Sequence, residues 1–197
     1  MLMDRVHKPH NLNAVIRTCD AVGVGRVHIV PGERYYERPR NSMGARRFVR
    51  IERHDSLTGA LAALRQLGVD LVAAHPGPGS MDYRALDYTR PTALLLGTEL
   101  DGLTPEALAA ADRHVMIPMR GAVASLNVSV AAAVILYEAE RQRAAAGMYH
   151  RPAGDDAASR RILFEWGYPR IADLCRRRGM VYPALDEEGG IAGEVPR

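Results

Sequence analysis

Short apolar runs separated by stretches of helical periodicity fill the first three quarters of the chain. Residues 26–30, 48–51, 70–74, 92–96 and 115–117 are such runs, and residues 2–6 are a possible first one. Apolar runs this short, without strict alternation, predict strands buried on both faces. Between them Leu12, Val15, Ile16 and Cys19 fall at i, i+3, i+4 and i+7 behind Asn11, whose short polar side chain reads as a cap. Residues 56–66 open on Ser56, close before Gly68 and carry Leu57, Leu61 and Leu64 on one side. Thr104 followed by Pro105 starts a third helix by the cap and first-turn proline rule. Val128, Ala131, Ala132, Ile135 and Ala139 make one face of a fourth, capped by Ser125 or Asn127. Strands alternating with helices predict an α/β protein with a mostly parallel sheet flanked by helices.

Past Gly147 the composition shifts. Residues 151–159 read as a polar connector, 160–178 as a basic helical tail, and 186–197 as a frayed end. The expected organisation is a domain over residues 1–149 and a basic helical extension over 150–197. With 197 residues, 47% of them hydrophobic and 25% charged, the chain has enough apolar side chain for a core and is no disordered, collagen-like or coiled-coil sequence. Cys19 and Cys175 stand far apart with no CxxC or Cys/His spacing, so neither a disulfide framework nor a metal site is expected. The longest apolar stretch, residues 128–137, is half a bilayer span, and residues 1–10 lack the apolar core of a secretory signal. A cytoplasmic protein with no membrane segment is therefore expected.

The net charge is only +3, but the basic residues are Arg throughout except for Lys8, and they cluster. Residues 34–53 hold seven Arg against two Glu, and residues 141–178 hold nine Arg against four acids. Such patches suit a polyanion, because each neutralised phosphate releases counterions; a solvated basic face is the alternative.

Ligands of open α/β sheets bind at the carboxyl ends of the strands, so three strand-end segments carry the candidate chemistry. They are His7-Lys8-Pro9-His10-Asn11 leading to Arg17, residues 97–103, and residues 118–127. Taken singly, their Gly and Asn residues are also ordinary turn and cap residues. No GxxxxGK[ST], GxGxxG, GxSxG or HExxH motif is present.

Together the segments resemble a known family. Asn11-x5-Arg17, Gly97-x-Glu99-x2-Gly102-Leu103 and Ile117-Pro118-Met119 leading to Ser125-Leu126-Asn127-Val128-Ser129-Val130-Ala131 look like the three motifs of the SpoU branch of the SPOUT RNA ribose 2′-O-methyltransferases. The stretch Leu163-Phe164-Glu165-Trp166-Gly167-Tyr168-Pro169, with the Arg-rich run after it, is similar to the tail of the TrmH-type members, which methylate guanosine 18 of the tRNA D-loop.

The resemblance implies a C-terminal deep trefoil knot, S-adenosylmethionine held through backbone groups at Ala74, Gly97, Ile117 and Leu126, and a homodimer that uses the helix from Asn127. It implies no metal. It places Arg17, Asn11, Glu99, Ser125 and Asn127 in the catalytic centre and His10, Arg141, Arg143 and Arg151 on tRNA. In the family Arg17 is the residue held to activate the 2′-hydroxyl; since guanidinium deprotonates only above about pH 12, a phosphate clamp is the cheaper role for it. Asn11, Ser125 and Asn127 would orient the ribose and Arg17, and Glu99 would order its loop or pair with Arg17. Two features depart from the pattern. The family's helical N-terminal arm would lie ahead of the first strand, where this chain begins, and Thr98 stands where an amide or Ser is usual. The rival expectations are the same methylation on ribosomal RNA and an inactive RNA-binding module.

Overall fold

A computed structural model describes residues 1–6, 8–32, 48–149, 157–186 and 188–193, without the side chains of residues 158 and 159. The chain divides into two compact units, Met1–Met148 and Tyr149–Arg197.

In the first unit seven strands form one parallel sheet: β1 (Leu2–Asp4), β2 (Arg26–Val30), β3 (Arg50–Arg53), β4 (Asp70–Ala74), β5 (Met81–Asp82), β6 (Thr92–Leu96) and β7 (Arg113–Met116), in the spatial order β3-β2-β1-β6-β4-β7-β5. Helices α1 (Pro9–Ala21) and α4 (Val128–Ala145) pack on one face; α2 (Leu57–Gln66) and α3 (Pro105–Ala110) pack on the other. The unalternating runs follow from this sandwich. Val72, Leu94 and Leu96 join the core under α1 and α4, while their neighbours Leu71, Ala73, Ala93 and Leu95 join the core under α2 and α3. Each fully buried Leu, Val or Ile contributes roughly 1.5–3 kcal/mol of transfer free energy, so both layers are anchored through the central strands. Cys19 is wholly buried in the first core, and burial pushes its thiol up to about 11.

Helix ends follow the expected chemistry at three places. The Ser56 side chain accepts from the Gly59 amide, Thr104 accepts from the Ala107 amide ahead of Pro105, and Asn127 accepts from the Ser129 amide. Asn11 is a correction: Lys8 occupies the cap of α1, Pro9 its first turn, and Asn11 lies inside the helix, 1% exposed. A proline that can start the helix two residues earlier frees Asn11 for another task.

Three strands shift from their expected bounds. β1 ends at Asp4 because Arg5 adopts a left-handed backbone (φ 53°). β3 and β7 are set by backbone pairing rather than by apolar side chains. Arg50 to Arg53 pair along β2, and Arg113 and His114 pair with Val72 and Ala73. The two-residue edge strand β5 is too short to mark the sequence.

In the second unit the helical tail expected over 160–178 is two helices, α5 (Ala157–Gly167) and α6 (Pro169–Arg178), broken where Pro169 can only begin a helix. Phe164, 1% exposed, stacks on Tyr182 with ring centroids 4.9 Å apart. The expected frayed end is partly ordered: β8 (Ala184–Leu185) and β9 (Ile191–Ala192) form a hairpin whose turn is held by Asp186 accepting from the amides of Glu188 and Gly190. Of the connector expected over 151–159, residues 151–156, and with them Arg151, lie outside the described residues, as does the greater part of the basic run at 34–53, and α5 already begins at Ala157.

Candidate active site

At the carboxyl end of β6 the chain turns back on itself. Thr98 and Gly102 form an antiparallel bridge, with the Thr98 amide donating to the Gly102 carbonyl at 2.9 Å and the reverse bond at 3.1 Å. Gly102 sits at φ +69°, a conformation that suits glycine. The Gly102 carbonyl and the Leu103 nitrogen occupy the space where a side chain at Gly97 would start, so only glycine fits there. Thr98 suits the loop, since its hydroxyl accepts from the Asp101 amide at 2.9 Å.

This loop walls a cavity of about 350 Å³, within the range of small-molecule sites. Ala74, Gly97, Ile117 and Leu126 line it, together with Glu99, Ser125 and Asn127. Leu96, Val115, Val128 and Ile135 supply apolar lining. Thr98, Asp101 and Met119, from the two strand-end segments, line it too, as does His75, which no sequence motif marks although it directly follows Ala74 at a strand end. Glycine at the crowded point, backbone-rich strand ends and apolar lining fit a small ligand with both polar and apolar parts such as S-adenosylmethionine.

Asn11 does not line the cavity but joins its walls. Its Nδ2 donates to Glu99 Oε1 at 2.5 Å, and its Oδ1 accepts from Asn127 Nδ2 at 3.2 Å. Asn127 Oδ1 in turn accepts from the Ser129 amide (2.8 Å) and hydroxyl (2.6 Å) at the start of α4. A buried amide bonded to a carboxylate in this way is a strong, orienting contact. It ties α1, the loop after β6 and the start of α4 into one rim.

Arg17 and His10, seven residues apart on α1, are both exposed and do not line the cavity. Arg141 is exposed and makes a two-point contact with Glu138, Nε to Oε2 at 2.9 Å and Nη2 to Oε1 at 2.7 Å. Hydrogen bonds from Arg141, then Gln142, hold the Glu138 carboxyl down to about 2. Arg143 is committed differently: its Nε donates to the Tyr88 carbonyl at 2.8 Å, while Gln142 donates to the Leu86 carbonyl and accepts from the Tyr88 amide. These bonds fasten residues 86–88 to α4.

Residues 1–137 match the SpoU rRNA Methylase family, and residues 141–194 match the family described as SpoU, rRNA methylase, C-terminal. Over 98% of its length the chain is 47% identical to the tRNA (guanosine(18)-2′-O)-methyltransferase of Escherichia coli strain K12, covering 86% of that protein. It is 46% identical over 84% of its length to the enzyme of the same name from Thermus thermophilus, again covering 86% of it. Among solved structures it resembles the A. aeolicus TrmH/SpoU tRNA modifying enzyme, with a TM-score of 0.78 and 39% identity over 86% of this chain and 87% of that one. It also resembles the SpoU methyltransferase AviRb from Streptomyces viridochromogenes in complex with AdoMet, with a TM-score of 0.66 and 34% identity over 73% of this chain and 60% of that one. With both units matched, and residues of the second and third motifs lining one cavity, the chain belongs to the SpoU methylase family.

Proposed function

We propose that this chain is a tRNA methyltransferase that uses S-adenosylmethionine to methylate the ribose 2′-hydroxyl of guanosine 18. The observation that carries the reading is the Asn11–Glu99–Asn127 network at the rim of a cavity lined by Ala74, Gly97, Ile117 and Leu126. When bound, the cofactor supplies a methyl group on a sulfonium, a leaving group already activated by its charge, so the chemistry requires no metal. The chain's part is to position the ribose and to find a place for its proton. Asn127 and Glu99 face the ribose, with Ser125 beside them, and Asn11, bonded to both from behind, holds them in place. Arg17 stays protonated and clamps a substrate phosphate, which, or a water beside it, accepts the 2′-hydroxyl proton.

The same reading takes residues 1–149 as the methyltransferase domain, with the segment after β7 threaded into a trefoil knot, and 150–197 as the basic extension that meets tRNA. It makes the enzyme a homodimer in the cytoplasm. Val130 and Tyr137, 47% and 54% exposed and seven residues apart on α4, supply an apolar face for the pairing. No helix among the described residues is long and apolar enough to cross a membrane.

Labelled S-adenosylmethionine with bulk tRNA or rRNA, followed by mapping of the modified nucleotide, tests the reading. Label on the guanosine 18 ribose supports it, and label confined to rRNA overturns the substrate. In the same assay Arg17→Ala should lower turnover about 10²–10⁴-fold, the range for a positioned proton-transfer apparatus, with cofactor affinity unchanged. Near-normal turnover would remove Arg17 from the centre.

His10 and the Arg141, Arg143, Arg151 set are the proposed tRNA contacts. Each phosphate contact adds roughly 0.7–0.9 to the slope of log affinity against log salt, so Arg141→Ala/Arg143→Ala/Arg151→Ala should flatten it by about two units. Arg143→Ala alone should also lower the melting temperature, because it releases the Tyr88 carbonyl, whereas Arg141→Ala should not. An unchanged slope in filter binding would mean that these Arg form a solvated face.

A further inference from the structure

On the face of the sheet that α2 covers, strand register builds a cluster that no cysteine or histidine spacing reveals. His28 of β2 lies opposite Glu52 of the edge strand β3, and His54, two residues further on, projects to the same side. His28 Nδ1 and His54 Nε2 stand 2.9 Å apart, and His28 Nδ1 and Glu52 Oε2 3.6 Å. All three donor atoms lie within 4.8 Å of one another. None of the three lines the cavity.

We infer that His28, Glu52 and His54 form a binding site for a divalent transition-metal cation, of which zinc is the best fit. Zinc holds His nitrogen at about 2.0–2.1 Å and carboxylate oxygen at about 2.0–2.2 Å, so the ligands of a tetrahedral site are roughly 3.3 Å apart. The His28–His54 and His28–Glu52 separations fall on either side of that value, and Glu52 and His54 lie within 4.8 Å of each other. Two imidazoles and a carboxylate are a zinc donor set, and the fourth position is left to water.

The surroundings suit the site. Glu52 divides its oxygens: Oε1 takes the guanidinium groups of Arg50 (3.1 Å) and Arg26 (3.5 Å), which orient the carboxylate, and Oε2 is turned to His28. The positive charge of the Met1 amine and of Arg26 opposes a cation, and the Glu52 carboxylate offsets only part of it. Metal binding replaces the His28–His54 hydrogen bond, whose proton moves to a nitrogen of the same imidazole that does not face the metal. The result is a clamp from the edge strand to β2, outside the catalytic cavity and independent of the proposed methyl transfer.

The test uses the full chain without a histidine tag, stripped with chelator and titrated with Zn²⁺ by calorimetry. One zinc per chain and a raised melting temperature are expected. Cobalt in its place should give the intense visible absorption of a four-coordinate site. Glu52 and His54 are only partly buried, so Glu52→Gln and His54→Ala should keep the far-ultraviolet circular dichroism of the parent. Each should weaken zinc binding by at least about 10–100-fold, the loss that even an outer partner causes at metal sites. No zinc bound by the parent, or equal stoichiometry and affinity in folded His54→Ala, would overturn the inference.

Discussion

Gly97→Val is expected to abolish useful cofactor binding, lowering S-adenosylmethionine affinity by about 100-fold or more. The loop after β6 folds back through the Thr98–Gly102 bridge, so the first side-chain carbon at position 97 would coincide with the Gly102 carbonyl and the Leu103 nitrogen. Those are backbone atoms and cannot swing aside as a flexible side chain would. Relief requires breaking the bridge and shifting residues 98–103, which carry the Thr98, Glu99 and Asp101 wall of the cavity. Overpacking of this kind costs roughly 1–3 kcal/mol, and about 2.8 kcal/mol is a hundredfold in affinity. The melting temperature should fall by several degrees, while far-ultraviolet circular dichroism should still report a folded chain. Gly25→Val is the control, since no atom lies within 4 Å of its side-chain position. Calorimetry with S-adenosylmethionine decides the matter, and equal affinity in folded Gly97→Val would remove the cofactor from this loop.

How much of this the sequence carried depended on the kind of signal. Buried parallel strands write themselves as apolar runs, so β2, β4 and β6 fall on their expected residues. Edge strands do not, because backbone pairing specifies them while solvent tolerates any side chain; β3 reads Arg-Ile-Glu-Arg, with Ile51 its one apolar residue. The cavity was legible only through motif resemblance, since nothing in the periodicity distinguishes a Gly97 that forbids a side chain from one that merely permits a turn. Asn11 shows the limit most clearly. Its position before an apolar stripe marks a cap by local rules, yet Pro9 moves the helix start and leaves the amide to bonds with Glu99 and Asn127, residues 88 and 116 positions away. Local chemistry alone does not reach such contacts. The same holds for the His28–Glu52–His54 cluster, which is a property of register and not of spacing.

Asn11→Ala is expected to lower kcat by about 100-fold while S-adenosylmethionine affinity changes by no more than about threefold, because misplacement of a reacting group by about 1 Å costs on that order. The split follows from geometry: Glu99 and Asn127 line the cavity, whereas Asn11 stands behind them and reaches the reaction only by holding both. Truncation leaves the Glu99 carboxylate without the amide donated to Oε1 and the Asn127 amide without its acceptor, a stability loss of about 1–3 kcal/mol for partly buried polar groups. Asn11→Asp separates orientation from bulk. It keeps the side-chain volume and the acceptor for Asn127 but sets a second carboxylate against Glu99, where the amide now stands 2.5 Å away. Two carboxylates so placed cannot both ionise cheaply, so one pKa is raised in the folded state above its unfolded value. A raised carboxyl pKa makes the penalty greatest at neutral pH and relieves it as the pH falls through that value. Asn11→Asp should therefore be less stable than Asn11→Ala at pH 7 and gain on it under acid conditions, a crossover that loss of packing alone would not produce. Glu99→Gln preserves an oxygen for the Asn11 amide and should retain most of the stability. Steady-state kinetics of the three variants, with melting curves across a pH series, measure these outcomes; wild-type kcat in Asn11→Ala would show that the rim needs no such brace.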